Sequence, residues 1–293
     1  MPLSVRIDTS FIVPLLKYLS KPNDELLLEI TKHDAARLTH AHAVRFGNTK
    51  KNIMQFWKEI LQSQSKNENL TEYIKESLTY IYNNQDAFNE QFKDLWQYFP
   101  EGTSLRTNLY TILGYDIGIV SEGNALINLG HQDFHKNPDE ILFIALHELH
   151  HVVYTAFNQI FDISQIHTTK ELVDMIKYCT HMEGLAVYFT LEIRRSTNGL
   201  NSRDYQLFLN ESARTKRVST FFDILTELEV RASRSLHDKD WEILDRMAGK
   251  DRLWYVTGAH MAELIEKNLG RKALIDTIRL GPDDFFKTYH EAF

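Results

Sequence analysis

NPDEILFIALHELHH, the stretch from Asn137 to His151, predicts a helix that is buried on most of its sides. Asn137 is a typical N-cap residue, Pro138 suits the first helical position, and Glu140 is a favourable acidic residue in the first turn. The residues that follow are mostly apolar, but His147 and Glu148 interrupt them. Polar groups in a buried helix need a chemical reason, because burying them costs free energy.

His147 and His151 lie four residues apart, so both imidazoles leave the same face of the helix about one turn apart. With Glu148 they form the H-E-x-x-H pattern, in which two neutral histidines bind zinc and the glutamate acts as general base. A chance match is the alternative, because the chain has 13 histidines, but the apolar surroundings favour a metal site. His150 is off this face, and we expect it to lie behind the ligands or at the surface.

A catalytic zinc usually has three protein ligands and one open position, which predicts a further ligand downstream. Glu183 is the preferred candidate, and His181 and Asp174 are the alternatives. Glu183 lies in a long apolar stretch whose helix is expected to begin at the capping box Thr168-x-x-Glu171. Gly184 adds no bulk beside the carboxylate, so we expect this helix to approach the H-E-x-x-H helix closely.

The segments on either side of the metal helix predict the fold class. From Pro22 to Phe99 apolar positions recur at helical spacing, which predicts a helical N-terminal layer. Glycines and β-branched residues become frequent from Gly114 to Gly130, which predicts a β-hairpin turning between Ser121 and Asn124. Helical spacing returns after Asn137. The predicted class is α+β, predominantly α-helical, with a small sheet before the metal helix.

A change of character after Pro100-Glu101-Gly102 predicts two regions, a helical one at residues 1–105 and a catalytic one at residues 106–293. A chain of 293 residues is also short enough for both regions to form one continuous domain. Helix ends are expected at Gly47-Asn48, Asn67, Asn83-Asn84, Asn198-Gly199, Gly249, Gly270 and Gly281-Pro282.

The composition argues against several classes of protein. The net charge of −7 results from 33 basic and 40 acidic residues without a long basic block, so nucleic acid is not an expected partner. No apolar run approaches the roughly 20 residues that cross a bilayer, and the N-terminus lacks a signal-peptide pattern, so no membrane association is expected. Cys179 is the single cysteine and cannot form an internal disulfide, which favours a cytoplasmic location.

The pattern resembles the gluzincin metallopeptidases, in which an H-E-x-x-H helix is followed by a second helix that supplies a glutamate ligand. The residues that carry this resemblance are His147, Glu148, His151 and Glu183. The runs EGLA (183–186) and YVTGAHMAE (255–263) look more specifically like uncharacterised families of zinc-dependent peptidases, over about residues 110–290. His151 and Glu183 are 32 positions apart, more than in thermolysin-like members, and the G-x-M-E-N aminopeptidase signature is absent. The resemblance therefore implies neither endopeptidase nor aminopeptidase specificity.

Two further elements follow from the resemblance and its chemistry. In gluzincins a β-strand edge beside the zinc binds the substrate backbone, and the strand around Ala125–Leu129 resembles that element by its place before the helix. A hydrolase of this type also needs a donor for the oxyanion that forms at the attacked carbonyl. Tyr255 and His260 are the candidates, with core packing and a helix-surface position as their ordinary alternatives.

The sequence therefore predicts a zinc metallopeptidase with one Zn²⁺ per chain and a peptide or small amide as substrate. Hydrolysis of a small amide or ester is one alternative, and a non-catalytic metal-binding or interaction protein is another. Glu148 favours an enzyme, because structural zinc sites usually fill all four positions with Cys or His and need no base. Cys179 is expected to pack as a small apolar residue rather than act as a nucleophile. No local pattern specifies the substrate side chains or the oligomeric state.

Overall fold

A computed structural model describes residues 3–197, 199–230 and 233–293. The strands are β1 (Leu3–Asp8), β2 (Leu105–Ile112), β3 (Gly118–Ser121) and β4 (Asn124–Asn128). The helices are α1 (Ile12–Ser20), α2 (Asp24–Lys32), α3 (Asp34–Arg45), α4 (Ile53–Gln64), α5 (Leu70–Asn83), α6 (Gln85–Leu95), α7 (Gln132–Lys136), α8 (Glu140–Phe157), α9 (Thr169–Phe189), α10 (Leu191–Ser196), α11 (Arg203–Leu209), α12 (Glu211–Val230), α13 (Asp238–Leu244), α14 (Leu253–Leu269), α15 (Arg271–Leu280) and α16 (Pro282–Glu291). Short 3₁₀ turns occupy Trp96–Tyr98 and Ile163–Gln165, and a π-helical turn occupies Asp245–Gly249. The predicted class, α+β and mainly helical, is confirmed.

The four strands form one mixed sheet in the order β1-β2-β4-β3. The hairpin expected before the metal helix is present, with β3 antiparallel to β4. Its turn places Glu122 at φ 48° and Gly123 at φ 72°, the left-handed conformations that two-residue hairpin turns require. β4 lies between β2 and β3, so the hairpin strand at an edge of the sheet is β3 and not β4.

Strand β1 was not expected from the sequence. It pairs in parallel with β2, with Leu3 opposite Leu105 and Asp8 opposite Tyr110. Its segment LSVRID does alternate apolar and polar residues, which is the period of a strand with one buried face. The alternation spans only six residues, and the partner strand lies about a hundred positions away in the sequence. The pairing of β1 with β2 therefore cannot be predicted from the local sequence pattern.

One compact unit comprises Met1–Gln97 and Gly102–Val153, and it contains the sheet and helices α1 to α7. Trp57 of α4 lies in its core with no exposed surface. The indole nitrogen of Trp57 donates to the carbonyl of Ala36 at 3.2 Å, and its ring meets that of Phe11 edge-on at 5.3 Å between centroids. The apolar spacing that predicted core positions in α4 therefore corresponds to buried side chains.

The second compact unit comprises Tyr98–Glu101 and Tyr154–Phe293. Helices α9 and α14 cross in it at two glycines, in backbone contact. A Cβ added to Gly184 would lie 2.3 Å from the Cα of Gly258, and one added to Gly258 would lie 2.1 Å from the carbonyl oxygen of Thr180. Gly184 was expected to admit the H-E-x-x-H helix, but the close approach that it permits is to α14.

The predicted helix ends agree with the structure within a few residues. α8 begins at Glu140, two residues later than expected, after a turn at Pro138-Asp139 in which the side chain of Asn137 accepts from the Asp139 amide at 3.3 Å. α9 begins with the predicted capping box of Thr168 and Glu171. α3 ends just before Gly47, α14 just before Gly270, and α16 begins at Pro282. Asn198, part of another predicted end, lies outside the described residues. No helix within the described ranges is long and apolar enough to cross a membrane.

Candidate metal centre

His147, Glu148 and His151 lie near the middle of helix α8. The two imidazole rings lie 4.4 Å apart between centroids and are nearly perpendicular, at 80°. Glu148 and His151 are each only 6% exposed. Two imidazoles at this spacing on a continuous helix can direct nitrogen atoms at a common point, as the four-residue spacing predicts.

Glu183 projects from α9 and joins the two histidines in one group. A ring nitrogen of His147, a ring nitrogen of His151 and a carboxylate oxygen of Glu183 all lie within 4.8 Å of one another. Ligand atoms around a tetrahedral zinc with bonds near 2.1 Å are about 3.4 Å apart, so small side-chain rotations would close this set. Two nitrogen donors and one carboxylate oxygen are also a donor set that catalytic zinc uses. The three residues therefore fit zinc in both chemistry and spacing.

The alternative third ligands have other surroundings. His181 is fully buried, with Nδ1 3.0 Å from the Tyr154 hydroxyl and Nε2 3.0 Å from the Thr277 hydroxyl. Both of its nitrogens are engaged, and burial lowers the pKa of His181 to about 3, so this side chain is a neutral structural group. Burial and the Asp283 charge raise the pKa of Asp174, which is not a member of the group of possible ligands found among the described residues.

Gly118, the first residue of the edge strand β3, lies against the carboxylate of Glu148. A Cβ built on Gly118 would lie 2.5 Å from Oε1 and 2.8 Å from Cδ of Glu148. No side chain larger than hydrogen fits this contact while the carboxylate keeps its position. The strand edge next to the H-E-x-x-H glutamate is thus β3, and the predicted element Ala125–Leu129 is the interior strand beside it.

The loop that leads into Gly118 is anchored to helix α3. The Tyr115 hydroxyl accepts a hydrogen bond from the side-chain amide of Asn48 at 2.7 Å and lies 3.3 Å from Nδ1 of His42. The ring of His42 also meets the Tyr115 ring edge-on at 5.7 Å between centroids. The helical N-terminal layer therefore supports the position of the strand that touches Glu148.

The two candidates for the oxyanion donor lie on different sides of α14. They are five residues apart, which is roughly 140° around a helix. Burial and the nearby Glu183 carboxylate raise the pKa of Tyr255, which places its hydroxyl in the electrostatic surroundings of the metal group. Burial and the Arg214 charge lower the pKa of His260 to about 4, and its ring lies 6.5 Å from that of Tyr289. Tyr255 is therefore close enough to Glu183 for the carboxylate to affect the ionisation of its hydroxyl.

Residues 21–293 match the model of a family, DUF5700, described as putative zinc dependent peptidase. The chain belongs to this family. Comparison of this DUF5700 protein with curated proteins and with solved structures finds no match. The family description agrees with the donor set of His147, His151 and Glu183 in naming zinc.

Three residues of this DUF5700 protein contact a candidate site residue, or a residue that does so, and were not singled out from the sequence. They are Gly118, Asp204 and Arg252. Asp204 and Arg252 form an ion pair at 2.6 Å, and the Arg252 guanidinium lies over the ring of Tyr255. A glycine in a strand and a charged pair far apart in sequence are ordinary features of a globular chain. Their relevance to the site follows only from the residues that they contact in the folded chain.

Proposed function

We propose that this DUF5700 protein hydrolyses peptide bonds with one zinc ion held by His147, His151 and Glu183. The observation that carries the proposal is the grouping of three ligand atoms of suitable chemistry within 4.8 Å. Three protein ligands would leave a fourth position for water or substrate, which is the arrangement of catalytic zinc. The family description as zinc dependent peptidase supports the same metal and reaction. In this proposal the site is of the gluzincin type.

Glu148 is the proton carrier in the proposed reaction. Zinc, when bound, would supply Lewis acidity that polarises the substrate carbonyl and lowers the pKa of water. The Glu148 carboxylate follows His147 directly on α8 and is buried, so it is held beside the ligands. It accepts a proton from the attacking water and delivers it to the nitrogen of the leaving amine. The Gly118 backbone, in contact with this carboxylate, restricts its position.

The edge strand β3 is the proposed binding element for the substrate backbone. β3 pairs with β4 on one side and has no strand on its other side among the described residues. An extended peptide can add to such an edge through main-chain hydrogen bonds, which bind any sequence. Because Gly118 of β3 touches Glu148, a peptide on this edge would run beside the proposed base.

Tyr255 is the proposed donor to the oxyanion that develops on the attacked carbonyl. The Glu183 carboxylate helps to raise the pKa of Tyr255, so the two groups are close enough for their charges to interact, and this supports Tyr255 for the role. The Tyr255 hydroxyl is protonated at neutral pH, because the ordinary tyrosine pKa is about 10 and burial raises the pKa of this group further. A protonated phenol can donate a hydrogen bond in the transition state.

The proposal is tested with purified wild type, Glu148→Gln, Glu183→Ala and, as a control on the same helix, Asp174→Asn. Zinc is measured by elemental analysis, and cleavage is measured on a mixed peptide library. We expect about one zinc per chain in wild type, Glu148→Gln and Asp174→Asn, and loss of zinc from Glu183→Ala. Cleavage should be present in wild type and Asp174→Asn and absent from Glu148→Gln.

The other results separate the alternatives. A wild type that binds zinc and cleaves small amide or ester substrates but no peptide is a hydrolase of small molecules. A wild type that binds zinc and turns over neither class is a non-catalytic metal protein. A wild type that binds no zinc refutes the proposed centre, and zinc retained by Glu183→Ala but lost from Asp174→Asn refutes the choice of third ligand.

A further inference from the structure

Arg252 stands directly before α14 in a left-handed backbone conformation, with φ 55° and ψ 37°. A residue with a Cβ is strained there, and such strain persists only where the surroundings over-determine it. Arg252 also follows closely on the π-helical turn Asp245–Gly249, a type of turn that is frequent at functional sites. The helix that begins at Leu253 does not itself require a left-handed residue before it, so the contacts of this segment must stabilise the conformation.

Hydrogen bonds hold the segment that leads into Arg252. A guanidinium nitrogen of Arg252 donates to the carbonyl of Ala248 at 2.6 Å, which closes the side chain back over the π-helical turn. The guanidinium of Arg217, on α12, donates to the carbonyl of Asp251 at 2.8 Å. The left-handed residue is therefore set by contacts from its own turn and from a neighbouring helix.

Asp204, on α11, fixes the orientation of the guanidinium plane. Nε of Arg252 lies 2.6 Å from Oδ1 of Asp204, and a terminal nitrogen lies 2.6 Å from Oδ2. The pair is bidentate, and both side chains are mostly shielded from solvent, with 25% of Arg252 and 16% of Asp204 exposed. A bidentate fork sets direction as well as distance, which a lysine ammonium cannot reproduce.

The guanidinium held in this way lies on the ring of Tyr255. Cζ of Arg252 is 3.4 Å from the ring centroid. The same tyrosine packs against a buried apolar cluster that consists of Val187, Leu191, Tyr205, Phe208 and Ala259. The ring is thus confined by apolar packing and by a cation of fixed orientation, so its hydroxyl has little freedom to move.

We infer that the Asp204–Arg252 ion pair positions Tyr255 for its part in the reaction. The inference rests on the proposed function, in which the Tyr255 hydroxyl donates to the oxyanion. Arg252 is a positioning residue: its guanidinium contacts the tyrosine ring, and Asp204 orients the guanidinium. The strained backbone of Arg252 is the conformation that brings both contacts together at the start of α14.

Kinetics on the zinc-loaded protein test the inference through a double-mutant cycle. Tyr255→Phe is expected to lower kcat about 10²- to 10³-fold, the usual effect of removing one oxyanion donor, with little change in KM. Arg252→Lys keeps the charge but loses the fork and the planar contact, and is expected to lower kcat about 10- to 100-fold. The variant with both changes should be no slower than Tyr255→Phe, because Arg252 acts through Tyr255. If the double variant loses kcat by the product of the two single losses, the inference is overturned.

A spectroscopic arm needs no turnover. Fluorotyrosine incorporation gives signals from 13 tyrosines, and loss of one signal in Tyr255→Phe assigns position 255. Arg252→Lys and Asp204→Asn are both expected to shift the fluorine resonance of position 255, in metal-free and in zinc-loaded protein. Asp204→Asn is nearly isosteric and serves if Arg252→Lys fails to fold. The matched control is Arg271→Lys.

Arg271 lies over the Tyr98 ring at 4.6 Å and pairs with Glu266 at 2.6 Å, so it repeats the arrangement away from Tyr255. Arg271→Lys should leave the position-255 resonance and kcat unchanged. A position-255 resonance that stays in place in both Arg252→Lys and Asp204→Asn overturns the positioning inference. Wild-type kcat in Tyr255→Phe refutes the proposed role of Tyr255 instead, so the two failures are distinguishable.

Discussion

Gly118 illustrates how one hydrogen atom in place of a side chain can matter to chemistry. Replacing it by Ala puts a methyl group where Glu148 Oε1 lies 2.5 Å away, and Glu148 is too buried to move aside freely. We expect Gly118→Ala to keep the proposed zinc and to lower kcat by about 10²-fold, because Glu148, the proposed proton carrier, is displaced. Zinc analysis and peptide cleavage check both parts.

The matched control for Gly118→Ala is Val120→Ala, which lies on the same strand and removes atoms rather than adding them. It should retain most of the activity. Full activity in Gly118→Ala would show that the Glu148 carboxylate functions in another position, and loss of zinc would show that the change disturbs the ligands instead.

His42 carries a pH dependence that can be measured apart from the metal. Burial and the Arg45 charge lower the pKa of His42 to about 4 in the folded chain, against about 6.5 when unfolded. Between these values the unfolded chain binds the additional proton, so the free energy of unfolding falls as the pH drops from about 6.5 toward 4. The expected contribution of this one group is on the order of 2 kcal/mol.

His42→Gln retains a hydrogen-bonding side chain near Tyr115 but has no proton to gain. Denaturant unfolding of the zinc-free protein at pH 7 and pH 5 should therefore give a smaller difference for the variant than for wild type. Equal differences would mean that His42 is protonated without cost in the folded state.

Among the helices and strands, the crossing of α9 and α14 gives a testable prediction. Helix propensity and packing at this crossing predict opposite changes in the free energy of unfolding. Helix propensity alone would make Gly184→Ala and Gly258→Ala stabilising by about 1 kcal/mol. The crossing leaves no room for either methyl group, since each would lie within 2.3 Å of backbone atoms of the other helix. We expect both variants to lower the free energy of unfolding by about 1–3 kcal/mol or more, the usual cost of overpacking.

Thermal or denaturant unfolding of both variants measures this effect directly. Gly184 directly follows Glu183, the proposed ligand, in α9. Gly184→Ala should therefore weaken zinc retention more than Gly258→Ala does. Stabilisation of either variant would contradict the backbone contact between the two helices.

At the scale of the whole molecule, the proposed zinc should couple to stability. A ligand that binds only the folded chain stabilises it by about 4 kcal/mol at a thousand times its dissociation constant. Chelation should therefore lower the unfolding midpoint of the zinc-loaded protein by roughly 10 °C, with recovery on adding zinc. Differential scanning calorimetry of wild type, Glu183→Ala and the exposed control His290→Ala, each with and without chelator, measures this shift of the unfolding midpoint.

We expect His290→Ala to behave as wild type and Glu183→Ala to lose most of the shift. A shift of equal size in Glu183→Ala would place the stabilising ion at another site.

Much of the architecture was predictable because its signals are local. The spacing of His147 and His151 on one helix, the capping box of Thr168 and the hairpin turn at Gly123 each depend on residues within a few positions of one another. Helix periodicity and turn chemistry act over the same range, so the sequence displays them directly. The sequence also singled out Glu183 as the candidate third ligand, because a catalytic zinc requires one and Glu183 stands in an apolar helix, and the structure groups its carboxylate with the two histidines.

The H-E-x-x-H pattern of His147, Glu148 and His151 and the mainly helical class could be predicted from the sequence, since each follows from spacing along one element. Tertiary structure alone decided that β1 pairs with β2, that β3 is the edge strand against Glu148, and that Gly184 meets α14. It also decided that Arg252 lies on Tyr255 and pairs with Asp204. These contacts join residues far apart in the chain. Such contacts depend on packing in the folded chain, and local periodicity of the sequence contains no information about them.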